Sequence, residues 1–150
     1  MSERLDIDAV RSRFLNDVFD EQQFELTAEQ IADYACACGE LAPRYTKPDH
    51  PDFQAPPTFP SSFRPTRRLP EDFPKLPGLG MDAGKAVAPR LPIRPGVRLT
   101  ARTHLHDVYA KTGRSGRMTF MVTRMEIFDP DEVLLASADT RIVIREKPES

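Results

Sequence analysis

Three groupings in this 150-residue chain have side chains whose type and spacing suit chemistry. His104 and His106 stand two apart in a period-2 segment, so both imidazoles fall on one strand face, a spacing able to chelate zinc. A third ligand is missing: Asp107 points to the other face and His50 lies in a remote proline-rich stretch. Two solvated or partly stacked imidazoles are expected, and no metal site. Arg64, Arg67, Arg68, Lys75, Lys85, Arg90, Arg94 and Arg98 form a loose basic run, suited equally to a phosphate-bearing ligand or to a solvated surface. Cys36 and Cys38 sit two apart in a helical pattern, so their thiols point about 200° apart around the axis. They can neither bridge nor share a metal, and read as small buried apolar residues. No glycine-rich phosphate loop, Gly-x-Ser-x-Gly elbow or Cys-His nucleophile arrangement appears.

Composition narrows what these groups can belong to. One domain fits the length, and 39% apolar residues allow a modest core. No run approaches the ~18 apolar residues of a membrane span, and the opening Met-Ser-Glu-Arg-Leu-Asp lacks the plan of a signal peptide, so a cytoplasmic protein is expected. Net charge is −2 but uneven: residues 1–40 carry −7, residues 41–128 carry +8 and residues 129–150 carry −3. Aromatic residues are thin in the basic middle, which argues against nucleic acid.

The elements that must position these residues follow from periodicity. Val10, Phe14, Leu15 and Val18 share one face of a helix over Asp8 to Val18. After a short extended Phe24-Glu25-Leu26, Thr27 and Gln30 form a capping box. The helix it opens carries Ile31, Tyr34, Ala35 and Cys38 on one side and Ala32, Cys36 and Ala37 on the other, then stops at Gly39. Apolar over most of its circumference, this helix is expected to be buried, with Tyr34 in the core. From Pro43 to Pro95 the chain holds 13 of its 15 prolines, which rules out a long helix or a central strand. Phe53, Phe59, Phe63, Leu69, Phe73, Leu76, Leu79 and Met81 anchor this excursion to the domain, with one short helix near Ser61 to Arg64.

The last third changes to period 2. Strands run from about Val97 to Leu105, Met118 to Phe128 and Val133 to Arg145, with turns at Thr112–Gly116 and Asp129–Asp131. The expectation is an α+β domain over residues 1–150, with a curled antiparallel sheet wrapped around a central helix and the proline-rich excursion at about 43–95.

Ile31-Ala32-Asp33-Tyr34-Ala35, Gly39-Glu40-Leu41-Ala42-Pro43-Arg44-Tyr45, Ala55-Pro56-Pro57-Thr58-Phe59, Pro95-Gly96-Val97, and Asp107–Lys111 with Gly113-Arg114-Ser115-Gly116 occur in this order. Together they resemble the MaoC-like dehydratases, in particular their N-terminal, FAS1-like dehydratase domain, over roughly residues 8–146. The resemblance implies a single hot-dog fold and water addition to, or removal from, acyl thioesters of coenzyme A or acyl carrier protein. Active members carry Gly-Asp-x-Asn-Pro-x-His after the helix, the Asp and His acting on one water while a backbone N–H polarises the carbonyl. Transfer by position puts Glu40 at the Asp, Ala42 at the Asn and Tyr45 at the His. A carboxylate survives, but phenols are poor bases at neutral pH and alanine offers no hydrogen bond. Ala55-Pro56-Pro57-Thr58-Phe59 corresponds to a segment where active members commonly carry a His-Gly pair, and if Pro57 stands at the glycine the backbone N–H that would hold the thioester oxygen is absent.

Two readings stand. In one, the chain is a subunit of an acyl-thioester hydratase or dehydratase: Glu40 and Tyr45 occupy the catalytic positions, and Pro57, Thr58, Arg64, Arg67 and Arg68 hold substrate. The subunit is either active through Glu40 or the substrate-holding half beside a catalytic MaoC-like partner. In the other, it is a non-enzymatic acyl-CoA binding or structural module that kept the fold and lost the chemistry. Both imply a homodimer or heteromer, since a curled sheet leaves an edge to be paired. No cofactor, nucleic acid or membrane is expected.

Overall fold

The computed structural model describes residues 4–146. Helix α1 spans Ile7–Phe14, opened by Asp6, whose carboxylate accepts the Ala9 N–H at 3.1 Å. Val10 and Phe14 are buried as the spacing requires, but the helix stops four residues short of Val18. Asn16 takes φ 67 and its N–H goes to the Leu105 carbonyl at 2.8 Å, which breaks the helical ladder. The chain then enters strand β1 (Val18–Phe24), and Val18 is exposed.

Helix α2 (Ala28–Ala37) opens with both halves of the expected capping box: Thr27 N–H to Gln30 at 2.9 Å and Gln30 N–H to Thr27 at 3.1 Å. Its burial is narrower than composition suggests. Ile31 and Ala35 are buried, whereas Cys36 and Cys38 are exposed, contrary to the expectation for both thiols. The helix lies on one face of the sheet, and a single surface covers only one stripe of a helix. Alanine and cysteine on the far side are small enough to face water at little cost.

Five strands form one antiparallel sheet in the order β1-β3-β4-β5-β2, with β2 Gly78–Pro89, β3 Leu99–Gly113, β4 Gly116–Phe128 and β5 Leu134–Glu146. The three C-terminal strands are those the alternation marked, lengthened at their ends. Arg114-Ser115 turns between the paired Gly113 and Gly116. Strand β2 lies within the proline-rich excursion, where no strand was expected. It fits because Pro77 and Pro89 bracket a proline-free stretch, and it takes an edge position, where a strand tolerates missing ladder bonds. Leu79 and Met81 on it are exposed rather than anchored. The excursion also holds a short helix α3 (Pro43–Thr46) and a 3₁₀ turn at Phe59–Ser62, two residues ahead of the expected helix.

The concave face of the sheet is covered in two parts. Ile31 of α2, with Phe53, Phe59 and Ile93 of the excursion, packs on Leu99, Met125 and Ile127. Val10 and Phe14 of α1 pack on Leu105, Val108, Met121 and Ile144, flanked by Leu69, Phe73 and Leu76. The opposite face carries charged pairs across strands, among them Arg124 with Asp139 at 2.7 Å and Arg102 between Glu21 and Glu132.

Candidate functional site

The end of α2 sets the backbone of the first candidate. Gly39 takes φ 77, and two reverse hydrogen bonds close the helix: Gly39 N–H to the Cys36 carbonyl at 3.1 Å and Glu40 N–H to the Ala35 carbonyl at 2.9 Å. This pattern requires a left-handed residue at position 39 and fixes where the Glu40 backbone emerges. The Glu40 side chain is half-buried, and Leu41 beside it is 91% exposed. Ala42 opens α3 with no side-chain cap, and its carbonyl accepts both the Tyr45 N–H at 3.0 Å and the Thr46 hydroxyl at 3.2 Å. Tyr45 is buried, with the Arg44 guanidinium 4.9 Å from its ring centre. Where active relatives of the resembled family place an imidazole, this chain packs a phenol ring into the domain.

Thr58 is tied to the same helix. The Tyr34 hydroxyl lies 3.2 Å from the Thr58 carbonyl oxygen and 3.1 Å from its hydroxyl, and the Tyr34 ring meets Phe59 edge-on at 4.6 Å. Tyr34 therefore has a packed ring and a working polar tip, rather than being a fully buried core residue. Pro57, next to Thr58, lines an open groove of about 340 Å³ with Pro56, Pro89, Arg90, Leu91 and Ile93. Its walls are mostly apolar, and Arg90 is the charged side chain among its lining residues.

The three arginines singled out in the sequence do not gather at this groove. Gln22 donates to the Arg64 carbonyl at 2.8 Å, and the Asp20 carboxylate accepts the Thr66 and Arg67 N–H groups at 3.0 and 3.1 Å. These bonds hold residues 64–67 at strand β1, while Pro89 and Arg90 follow from β2 at the opposite edge of the sheet. Arg67 is also paired with Glu71 at 3.5 Å. Elsewhere in the basic run, Arg94 holds Asp52 at 2.8 Å, a hydrogen bond that keeps the Asp52 carboxyl below its ordinary range. Arg98 bonds Gln23, and Lys85 bonds the Ser61 carbonyl. Linear spacing could not reveal that the excursion crosses the whole sheet and divides its cations between two edges.

His104 and His106 come together through a bulge between Leu105 and Asp107, with His104 Nε2 3.3 Å from His106 Nδ1. Of the two arrangements expected, solvated or partly stacked, the rings meet edge-on with centres 5.5 Å apart; His104 is buried, and its Nδ1 lies 3.6 Å from Glu126. Burial holds its pKa below the ordinary value, helped by His106 and Arg124 and opposed by Glu126. Among the described residues, no group of three or more His, Cys, Asp or Glu could hold a metal ion, and no helix is long and apolar enough to cross a membrane.

A five-stranded antiparallel sheet curled over a helix, with the loop after that helix carrying the candidate acidic residue, defines the hot-dog architecture of MaoC-like dehydratases. The chain belongs to the FAS1-like dehydratase domain family, whose model, the FAS1-like, dehydratase domain region, matches residues 14–138. Among solved structures it is similar to a MaoC-like dehydratase from Phytophthora capsici, at 20% identity and TM-score 0.70, covering 97% of this chain and 52% of that one. The chain thus spans about half the length of the Phytophthora protein. It is similar as well to the C-terminally truncated HadBC (3R-hydroxyacyl-ACP dehydratase) complex of Mycobacterium tuberculosis, at 18% identity and TM-score 0.65, covering 87% and 96% of the two chains. A third is the ChsH1–ChsH2 complex of Mycobacterium tuberculosis, at 18% identity and TM-score 0.64, covering 96% and 90%. Two of these three neighbours are complexes of two different subunits. No curated protein matches the chain by sequence.

Proposed function

We propose that the chain is the substrate-holding, non-catalytic subunit of an acyl-thioester hydratase or dehydratase, paired with a MaoC-like subunit that supplies the Asp and His. The observation that carries this reading is Tyr45. A residue that moves a proton must reach the reacting water and change charge near neutral pH, and here the corresponding position holds a buried phenol packed under Arg44. Ala42 and Pro57 remove two further polar groups of the family's catalytic pattern, one a side-chain amide and one a backbone donor. What remains suits holding. The groove at Pro57 offers apolar walls for a thioester arm and Arg90 for its phosphates, and Thr58, next in the chain to Pro57, is anchored to α2 through Tyr34. Arg90 takes the role that the sequence assigned to Arg64, Arg67 and Arg68.

The exposed edge of β2, with Leu79 and Met81 facing water, supports a paired chain, because open edges of this kind are ordinarily covered. The experiment is purification of the tagged chain from its source, identification of the co-purifying subunit, and assay of enoyl-CoA hydration by each alone and both together. Hydration by the pair, absent from this chain alone, with an intact Gly-Asp-x-Asn-Pro-x-His segment in the partner, is the expected result. Full activity of this chain by itself would overturn the reading.

A further inference from the structure

Beyond the groove at Pro57, the concave face of the sheet changes character. Ala136, Ala138 and Thr140 are alternate residues of β5 on that face. Ala136 lines the groove, and Ala138 and Thr140 line a narrow gap that follows it, with Pro60 contributing to both. The floor of the gap also carries Thr103 of β3 and Thr123 of β4. Thr103 is 2% exposed, and its hydroxyl has no hydrogen-bond partner. Such a group is destabilising where it stands, and valine, of nearly the same shape, would fill the space without that cost. Packing therefore has no use for the hydroxyl.

The roof of the gap is a strap that begins at the buried Pro60 of the 3₁₀ turn. Residues 60–65 cross the sheet without joining its main-chain ladder and are held by side chains from both edges: Lys85 of β2 on the Ser61 carbonyl at 3.0 Å, and Gln22 of β1 on the Arg64 carbonyl at 2.8 Å. Phe63 seals the space by packing edge-on against Phe24 and Phe59 at 5.0 and 5.4 Å. Closed, the gap holds about 10 Å³, the room of a single water. A chain of methylenes enters only if this strap lifts, and the side-chain bonds that hold it can open without disturbing a strand.

We propose that the groove continues under the strap along Ala136, Ala138 and Thr140, and that the Thr103 hydroxyl binds an oxygen substituent on the distal part of the acyl tail. The inference rests on the reading of the chain as an acyl-thioester-binding subunit and names its substrate class: tails that are apolar near the thioester and carry a hydroxyl or carbonyl further out. Thr103 is level with Ala138 through Met125, two residues of strand beyond Ala136, which places the polar group roughly 7 Å beyond the groove.

The test is calorimetry on the full chain, with its partner subunit where one co-purifies. The probes are coenzyme A thioesters of one chain length, unsubstituted or carrying a single distal hydroxyl. The hydroxylated tail is expected to bind about five- to tenfold more tightly, the worth of one buried hydrogen bond. Thr103→Val should abolish that preference while leaving the unsubstituted thioester unaffected, and Thr103→Ser should retain it. Equal affinity for both tails in the unmodified protein, as for a hydroxyl that serves only a trapped water, would overturn the proposal and leave the acyl-thioester reading intact. A preference surviving in Thr103→Val would overturn it as well. Binding of neither tail would overturn both readings together.

Discussion

Replacing Gly39 by alanine tests whether the turn that delivers Glu40 is set by the backbone. The two outcomes of this substitution have opposite signs. Were position 39 the last turn of an ordinary helix, alanine would stabilise it by about 1 kcal/mol through its better propensity. At φ 77 it instead forces an L side chain into the left-handed region, at about 1–2 kcal/mol. An added Cβ meets nothing within 4 Å, so no clash contributes and the whole effect is conformational. For a domain of this size the loss corresponds to a fall in Tm of roughly 2–8 °C. Gly39→Asn should lose less, since asparagine tolerates that conformation. Thermal unfolding by circular dichroism at one pH measures both. A rise in Tm for Gly39→Ala would refute the geometry assigned to the loop, and with it the placement of Glu40.

Two further outcomes follow from charges. Because burial keeps the His104 pKa below 6.5, the unfolded chain takes up a proton before the folded one does. The stability conferred by neutral His104 is present above pH 6.5 and is lost as pH falls from 6.5 through the lower folded value, so urea midpoints should decline over that interval and decline less in His104→Gln. Arg90→Ala should weaken binding of coenzyme A thioesters in a salt-sensitive way, and more than simultaneous change of Arg64, Arg67 and Arg68 to alanine. Calorimetry at low and high salt decides between the two sets.

The parts of the fold legible in the sequence were those governed by local rules. The Thr27–Gln30 capping box and Gly39 fix the ends of α2 through residues within one turn, and period-2 patterning marks β3, β4 and β5. Strand β2 is not marked in the sequence because it is rich in Gly and Ala, with Val87 as its single β-branched residue and no sustained alternation. It exists because β5 offers a free edge roughly 50–70 residues further along the chain. Cys36 and Cys38 were misjudged for a related reason, since apolar composition reports what a helix can bury and only the geometry of the sheet reports how much of it is covered. At the site, the spacing of Glu40 and Tyr45 was plain, but the burial of Tyr45 was not. Nor could spacing show that residues 64–68 and Arg90 face opposite edges, or that Thr103 is left without a partner between two apolar clusters.

The most direct test of the substrate-holding role is the steady-state hydration rate of the purified complex carrying Glu40→Gln in this subunit, with Tyr45→Phe as its companion. If the chain only holds substrate, neither change lowers a barrier, and each mutant complex should run within about twofold of the unmodified one. If Glu40 is the base, its loss should cost roughly 10²–10⁴ in rate. A hundredfold fall in either mutant, with folding and assembly intact, would contradict the account.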